Sequence, residues 1–144
     1  MEKERERGRA REVVEKYGRS LVRLAFTYVK NEQDAEDVVQ EVFLSWLRVA
    51  RTLSGEEHEK AFLIRATINR SKNLVKSRWF RGRRPLTDSA PGLAEEESAV
   101  LGAVLDLDEK YRLPIHLHYY EGYEIREIAG MLGEKPATIG TRLS

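Results

Sequence analysis

Between Val13 and Val29, apolar residues return at helical spacing: Val13, Val14, Tyr17, Leu21, Leu24, Ala25, Tyr28 and Val29. That period predicts an amphipathic helix. Asn31 to Gln33 breaks the pattern, and Asp34 reads as the N-cap of a second helix ending near Leu53. Val38, Val39, Val42, Phe43, Trp46 and Leu47 form the stripe this helix should bury. Ser54 to Glu59 reads as a polar loop around Gly55, followed by a third helix from about Lys60 to Phe80. Phe62, Leu63, Ala66, Ile68, Leu74, Val75, Trp79 and Phe80 are its apolar positions.

Composition then shifts. Gly82 to Ala94 holds Gly82, Pro85, Pro91 and Gly92 with Thr87, Asp88 and Ser89, the signature of a linker. A further helical stretch runs from Glu95 to Tyr120, interrupted near Leu107–Asp108 and strained by Pro114, with Gly122 closing it. Tyr119 and Tyr120 are expected in the core. No window alternates apolar and polar residues as a half-buried strand would. The expectation is an all-α chain of two small helical domains, 1–81 and 95–144, joined by a flexible linker, 82–94, with the second domain a helix-turn-helix.

The chain has 144 residues, 41% of them hydrophobic, which suits two modest cores. Absence of cysteine excludes disulfides and thiolate metal sites and fits a reducing cytoplasm. Met1 to Glu12 is a mixed-charge run with no apolar core, unlike a signal peptide, and no apolar stretch approaches a membrane span. A soluble, cytoplasmic protein is expected.

A net charge of +1 conceals a partition. Glu32 to Glu59 carries eight acidic residues against Arg48 and Arg51, whereas Lys60 to Arg84 carries nine basic residues and no acid. From Pro85 onward the balance is acidic again, eleven against five. Adjacent blocks of opposite sign point to two partners, one basic and one polyanionic. Within the acidic block, Asp37, Gln40, Glu41 and Leu44 fall on one helical stripe, at steps of three, one and three. Two carboxylates and an amide are thereby offered to something outside the domain, although alone such a stripe reads as a solvated face.

In the basic block, Asn69 and Asn73 are four apart and share a face, flanked by Arg70, Lys72 and Lys76. Amides make paired donor–acceptor contacts to base edges, while Lys and Arg anchor phosphates. Phe62, Trp79 and Phe80 could stack on unpaired bases, but core packing is the better reading of Phe62. With nine positive charges and no acid, nucleic acid is a stronger reading than a solvated helix.

At the C-terminal end, Ala129 is followed four residues later by Gly133 and ten later by Ile139, with Ile128, Leu132 and Leu143 apolar. A helix-turn-helix needs this order: a small residue lets the helices cross, glycine takes a left-handed turn conformation, and a branched residue fills the gap. Pro136 suits the first position of the second helix. Groove entry by that helix would bring Lys135, Ala137, Thr138, Thr141 and Arg142 to phosphates or base edges. Spacing alone leaves an ordinary αα-hairpin open. A groove-reading helix usually runs on beyond the equivalent of Ser144, so the sequence reads as truncated at its C-terminal end.

Four motifs in this order resemble the extracytoplasmic-function (ECF) group of the sigma-70 family of bacterial RNA polymerase sigma factors. They are Leu24-Ala25-Phe26; Asp34-Ala35-Glu36-Asp37-Val38-Val39-Gln40-Glu41-Val42-Phe43; Arg65 to Arg78; and Tyr119-Tyr120-Glu121-Gly122-Tyr123-Glu124-Ile125-Arg126-Glu127-Ile128-Ala129. The resemblance spans about Val13 to Ser144. It implies that Asp37, Gln40 and Glu41 dock on the clamp helices of the largest subunit of core RNA polymerase. Arg65, Asn69, Arg70, Lys72, Asn73 and Lys76 would bind the −10 element, and the Ser54 to Glu59 loop would help hold a flipped base. Lys135, Ala137, Thr138, Thr141 and Arg142 would read the −35 element as duplex. The linker would thread toward the RNA exit path. Neither cofactor nor enzymatic activity is implied, and the resemblance leaves room for an anti-sigma partner. One departure is Gly140, where a basic or polar residue is common in the family; glycine inside a helix costs about 1 kcal/mol relative to alanine.

Two other readings compete. A free-standing helix-turn-helix regulator leaves the Asp37–Gln40–Glu41 face and the basic Asn helix idle. A metal-dependent nuclease needs converging ligands, whereas His116 and His118 are two apart on different helix faces and His58 is distant. The histidines read as surface or packing residues.

Overall fold

The computed structural model describes residues 2–80 and 107–144. The expected linker, the expected helical stretch from Glu95 to Asp106, and the side chains of Trp79 and Phe80 lie outside the described residues. The chain divides into two compact units, Met1–Thr87 and Asp88–Ser144. Every regular element among the described residues is helical.

The first unit contains three long helices, α1 (Glu2–Val29), α2 (Glu32–Val49) and α3 (Gly55–Phe80), each packed on the other two. Its core follows the apolar periodicity of the sequence. Leu21, Leu24, Ala25 and Val29 of α1 are buried with Val38, Val39, Val42 and Trp46 of α2 and Leu63, Ile64 and Ile68 of α3. Thr27 and Thr67, fully inside, satisfy their hydroxyls by donating to the Leu24 and Leu63 carbonyls in their own helices. Burial of a carboxylate here is more demanding. Glu59 is 6% exposed, and its Oε2 accepts from the Trp46 indole at 3.1 Å and from Arg9 at 2.9 Å. The charge is thus paired and hydrogen-bonded, as a buried charge must be.

Two connections differ from expectation. Lys30 takes a left-handed backbone (φ 56°) and donates to the Phe26 carbonyl, ending α1 in a single residue. Asn31 is then already extended, and its side chain accepts from the Asp34 amide at 3.0 Å. Asn31 is therefore the N-cap and Asp34 lies in the first turn, where a carboxylate favours the helix dipole. After α2, a short 3₁₀ turn (Ala50–Thr52) leads to Leu53 and Ser54, and α3 opens at Gly55 rather than Lys60. His58 Nδ1 reaches back to accept the Ser54 amide at 3.0 Å, and Glu56 and Glu57 occupy the first turn. Most of the expected Ser54–Glu59 loop is therefore the opening of a helix.

Among the described residues, the first element of the second unit is α4 (Glu109–Ile115), which passes through Pro114 and widens into a π-helical turn, His116–Tyr120. The Glu121 amide donates to the His116 carbonyl, five residues back, at 3.1 Å. Then follow α5 (Ile125–Leu132) and α6 (Pro136–Leu143), with α6 packed on both α4 and α5. Leu113, Leu117, Ile128, Ala129, Met131 and Ile139 make this core. Tyr119, expected inside, is 66% exposed, and Tyr120 is exposed too. At the π turn the apolar face is taken by His116 and Leu117, which leaves both tyrosines on the outside.

Candidate polymerase-facing and DNA-facing surfaces

On α2, Val38, Val39, Val42 and Trp46 are buried, which turns the intervening positions outward. Asp37, Gln40 and Glu41 are all exposed, and Leu44 extends the same stripe at 59% exposure. Leu47, expected in the core, is instead 52% exposed, one turn beyond Leu44. The outer face of α2 is thus an acidic and amide end followed by two bare leucines, a combination of directional and apolar contacts. Leu44 and Leu47 stand three apart, a spacing that marks a shared helix face. Asp37 accepts from Gln33, one turn earlier, at 3.1 Å.

On α3, Arg65, Asn69, Lys72, Asn73 and Lys76 are exposed and follow one another at steps of four, three, one and three. They form one polar stripe, opposite the buried Leu63, Ile64, Thr67, Ile68 and Ser71. Arg70 is exposed as well but stands to the side of the stripe, toward α2. Its Nη1 lies 2.5 Å from Glu41 Oε2, and its Nη2 donates to Ser45 Oγ at 3.4 Å. Asp37, Val38, Glu41, Arg70, Asn73 and Leu74 line a shallow groove between the two helices. The acidic α2 face and the amide-bearing α3 face therefore meet along one edge, which periodicity within either helix does not reveal. Phe62 is half-buried.

In the second unit the helix-turn-helix geometry is complete. Ala129 and Ile139 are buried where the helices cross, and Gly133 adopts φ 67°. The amides of Gly133 and Glu134 both donate to the Ala129 carbonyl, closing α5. The Glu124 amide donates to Glu127 Oε1 at 3.2 Å at the start of α5. Pro136 opens α6. Of the residues expected to reach DNA, Lys135, Ala137 and Thr141 are exposed, whereas Thr138 and Arg142 are half-buried. Arg142 lies 3.7 Å from Glu134, and Thr141 donates to the Ala137 carbonyl at 2.9 Å. Gly140 has open space around the position a Cβ would take, so no close approach requires a glycine there.

His116 is buried with its Nε2 3.2 Å from Glu121 Oε1, and its ring stacks on Tyr120. His118 Nδ1 donates to the Tyr123 carbonyl at 2.8 Å. His118 thus ties the π turn to the segment that follows it. No group of three or more potential metal ligands occurs among the described residues.

Fold and faces together define an all-helical protein, among its described residues, with a helix-turn-helix in its second unit. Residues 13–81 match the model of sigma-70 region 2, and residues 98–144 match that of sigma-70 region 4. Among curated relatives, RNA polymerase sigma factor SigV of Bacillus subtilis is 29% identical, the match covering 84% of this chain and 76% of SigV. ECF RNA polymerase sigma factor SigE of Mycolicibacterium smegmatis is 30% identical over 92% of this chain and 56% of SigE. Among solved structures, the sigma factor RpoE bound to the anti-sigma factor NepR, from Bartonella quintana, superposes with a TM-score of 0.76 at 18% identity, covering 92% of this chain and 88% of that one. CnrH, solved with the cytosolic domain of CnrY, gives a TM-score of 0.69 at 25% identity, covering 93% and 79%. The chain belongs to the sigma-70 family of RNA polymerase sigma factors, in its extracytoplasmic-function group. It is a transcription initiation factor that directs promoter recognition, and a free-standing regulator is not the favoured reading.

Proposed function

We propose that a first domain, residues 1–81, docks on core RNA polymerase through Asp37, Gln40 and Glu41 of α2 and engages the −10 element through α3. On this reading residues 82–94 are the linker and residues 95–144 read the −35 element. The docking site on the polymerase is the pair of clamp helices of its largest subunit. The observation that carries the proposal is the single outward face of α2, where two carboxylates and an amide run on into Leu44 and Leu47. A face of this kind suits a basic partner surface with an apolar centre.

On α3, Asn69 and Asn73 read unstacked bases while Arg65, Arg70, Lys72 and Lys76 hold the phosphates. Binding energy realised only with melted DNA favours the open state, so opening requires no hydrolysis and the protein acts by binding alone. In the second unit, Lys135, Ala137, Thr138, Thr141 and Arg142 face the −35 duplex at the start of α6. Among the described residues no helix is long and apolar enough to cross a membrane, in keeping with action in the cytoplasm, where the polymerase is. An anti-sigma protein, the kind of partner solved with RpoE of Bartonella quintana, would regulate this chain by covering one of the same faces.

Co-migration of the purified chain with core RNA polymerase on a sizing column tests the proposal. Binding of the wild-type chain is expected. A folded chain that elutes apart from core polymerase would refute docking through α2.

A further inference from the structure

Glu41 belongs to the proposed polymerase-docking face and Arg70 to the proposed DNA-binding set, yet they hold each other across the α2–α3 groove. Both terminal nitrogens of Arg70 are turned to α2, one to Glu41 at 2.5 Å and the other to Ser45 at 3.4 Å. A carboxylate and a DNA phosphate compete for the same guanidinium donors, because each is an anionic acceptor of matching geometry. We propose that Glu41 is an internal stand-in for the DNA phosphate, holding Arg70 on α2 until polymerase docking draws Glu41 away and frees Arg70 for melted DNA. This rests on the docking role proposed above for α2 and adds a coupling between its two binding events.

The physics sets both direction and size. An exposed ion pair is worth little, so its loss changes DNA affinity by about two- to fivefold rather than acting as an all-or-none lock. Coupling between two binding events is reciprocal, so polymerase and DNA each favour the other's binding by that factor. Arg70 stands outside the Arg65–Asn69–Lys72–Lys76 stripe, so the gate acts on the increment from Arg70 alone.

The test measures binding of the full chain, without polymerase, to a labelled mixed-sequence single-stranded DNA by fluorescence anisotropy across a salt series. Glu41→Gln is expected to tighten binding about two- to fivefold. It should also steepen the salt dependence by about 0.7 in log–log slope, the signature of one added phosphate contact on a single strand. Glu36→Gln removes the same charge from α2 without touching the Arg70 contact and should leave the slope unchanged. In an Arg70→Gln background, Glu41→Gln should bring no gain. Equal gains from Glu36→Gln and Glu41→Gln would overturn the proposal, since general charge would then explain the effect. Persistence of the Glu41→Gln gain without Arg70 would overturn it too. Wild-type co-migration with core polymerase is measured alongside: its failure strikes at the docking reading itself, whereas intact docking with a flat Glu41→Gln response strikes only at the gate.

Discussion

Two buried polar residues of the first unit tie its stability to chemistry that the apolar pattern hides. The Tyr17 hydroxyl is buried without a hydrogen-bond partner, and burial, with Glu59 nearby, holds its pKa above the usual 10.0. A raised folded-state pKa means the stabilising contribution is whole below pH 10 and is lost as the pH climbs further, because the unfolded chain ionises first. Tyr17→Phe is expected to flatten the alkaline limb of a stability–pH curve, measured by urea unfolding, with little change at neutral pH. Glu59 works in the opposite sense, as an acceptor the core depends on. Glu59→Ala strands the Trp46 indole N–H and is expected to cost about 1–3 kcal/mol. Glu59→Gln keeps an acceptor oxygen for Trp46 and should cost less. A midpoint for Glu59→Ala equal to wild type would show that the pairing is energetically idle.

At the scale of the helix, the two outward faces carry separable duties. Charge reversal of Asp37 and Glu41 together is expected to abolish co-migration with core polymerase while leaving helicity by circular dichroism unchanged, since both side chains are exposed. Replacement of Asn69 and Asn73 by alanine should leave co-migration intact and prevent promoter opening, followed by fluorescence of a base analogue in the −10 element. Opening that survived the double change would remove these asparagines from −10 recognition. The Asp37–Gln40–Glu41 part of the α2 face was legible in the sequence because helical periodicity turns it outward once Val38, Val42 and Trp46 are buried, whereas Leu47, at the edge of the apolar stripe, was assigned to the core and is exposed. The helix-turn-helix was legible for a steric reason, since Ala129, Gly133 and Ile139 each answer one geometric demand. Helix starts were less so. Asn31 displaced Asp34 as the cap because Lys30 adopted a left-handed turn, and His58 capped α3 from inside the helix. Neither arrangement leaves a trace in local propensity. Tyr119 and Tyr120 were misplaced because the π turn shifts the register of every later side chain, and a period of 3.6 cannot anticipate it. The Glu41–Arg70 contact joins residues 29 apart, which no single-helix pattern encodes.

Across the whole molecule, each unit has its own buried core, so substitutions in one are expected to act independently of those in the other. Arg142 offers the sharpest check of that independence. It leans toward Glu134 at 3.7 Å in the free chain, a weak, partly exposed pairing that a phosphate can replace. Arg142→Ala is expected to weaken binding to a −35 duplex and lower the salt slope by about 1, one phosphate contact for duplex DNA. Docking on core polymerase and opening of a promoter already held by the −10 element should be unchanged. Combined with the Asp37 and Glu41 reversals, the losses should add on a free-energy scale, as expected for residues in units that each have their own core. Loss of polymerase docking by Arg142→Ala alone would mean that the second unit shares the docking surface. An unchanged salt slope would mean that Arg142 keeps to Glu134 and leaves the duplex to Lys135 and Thr141.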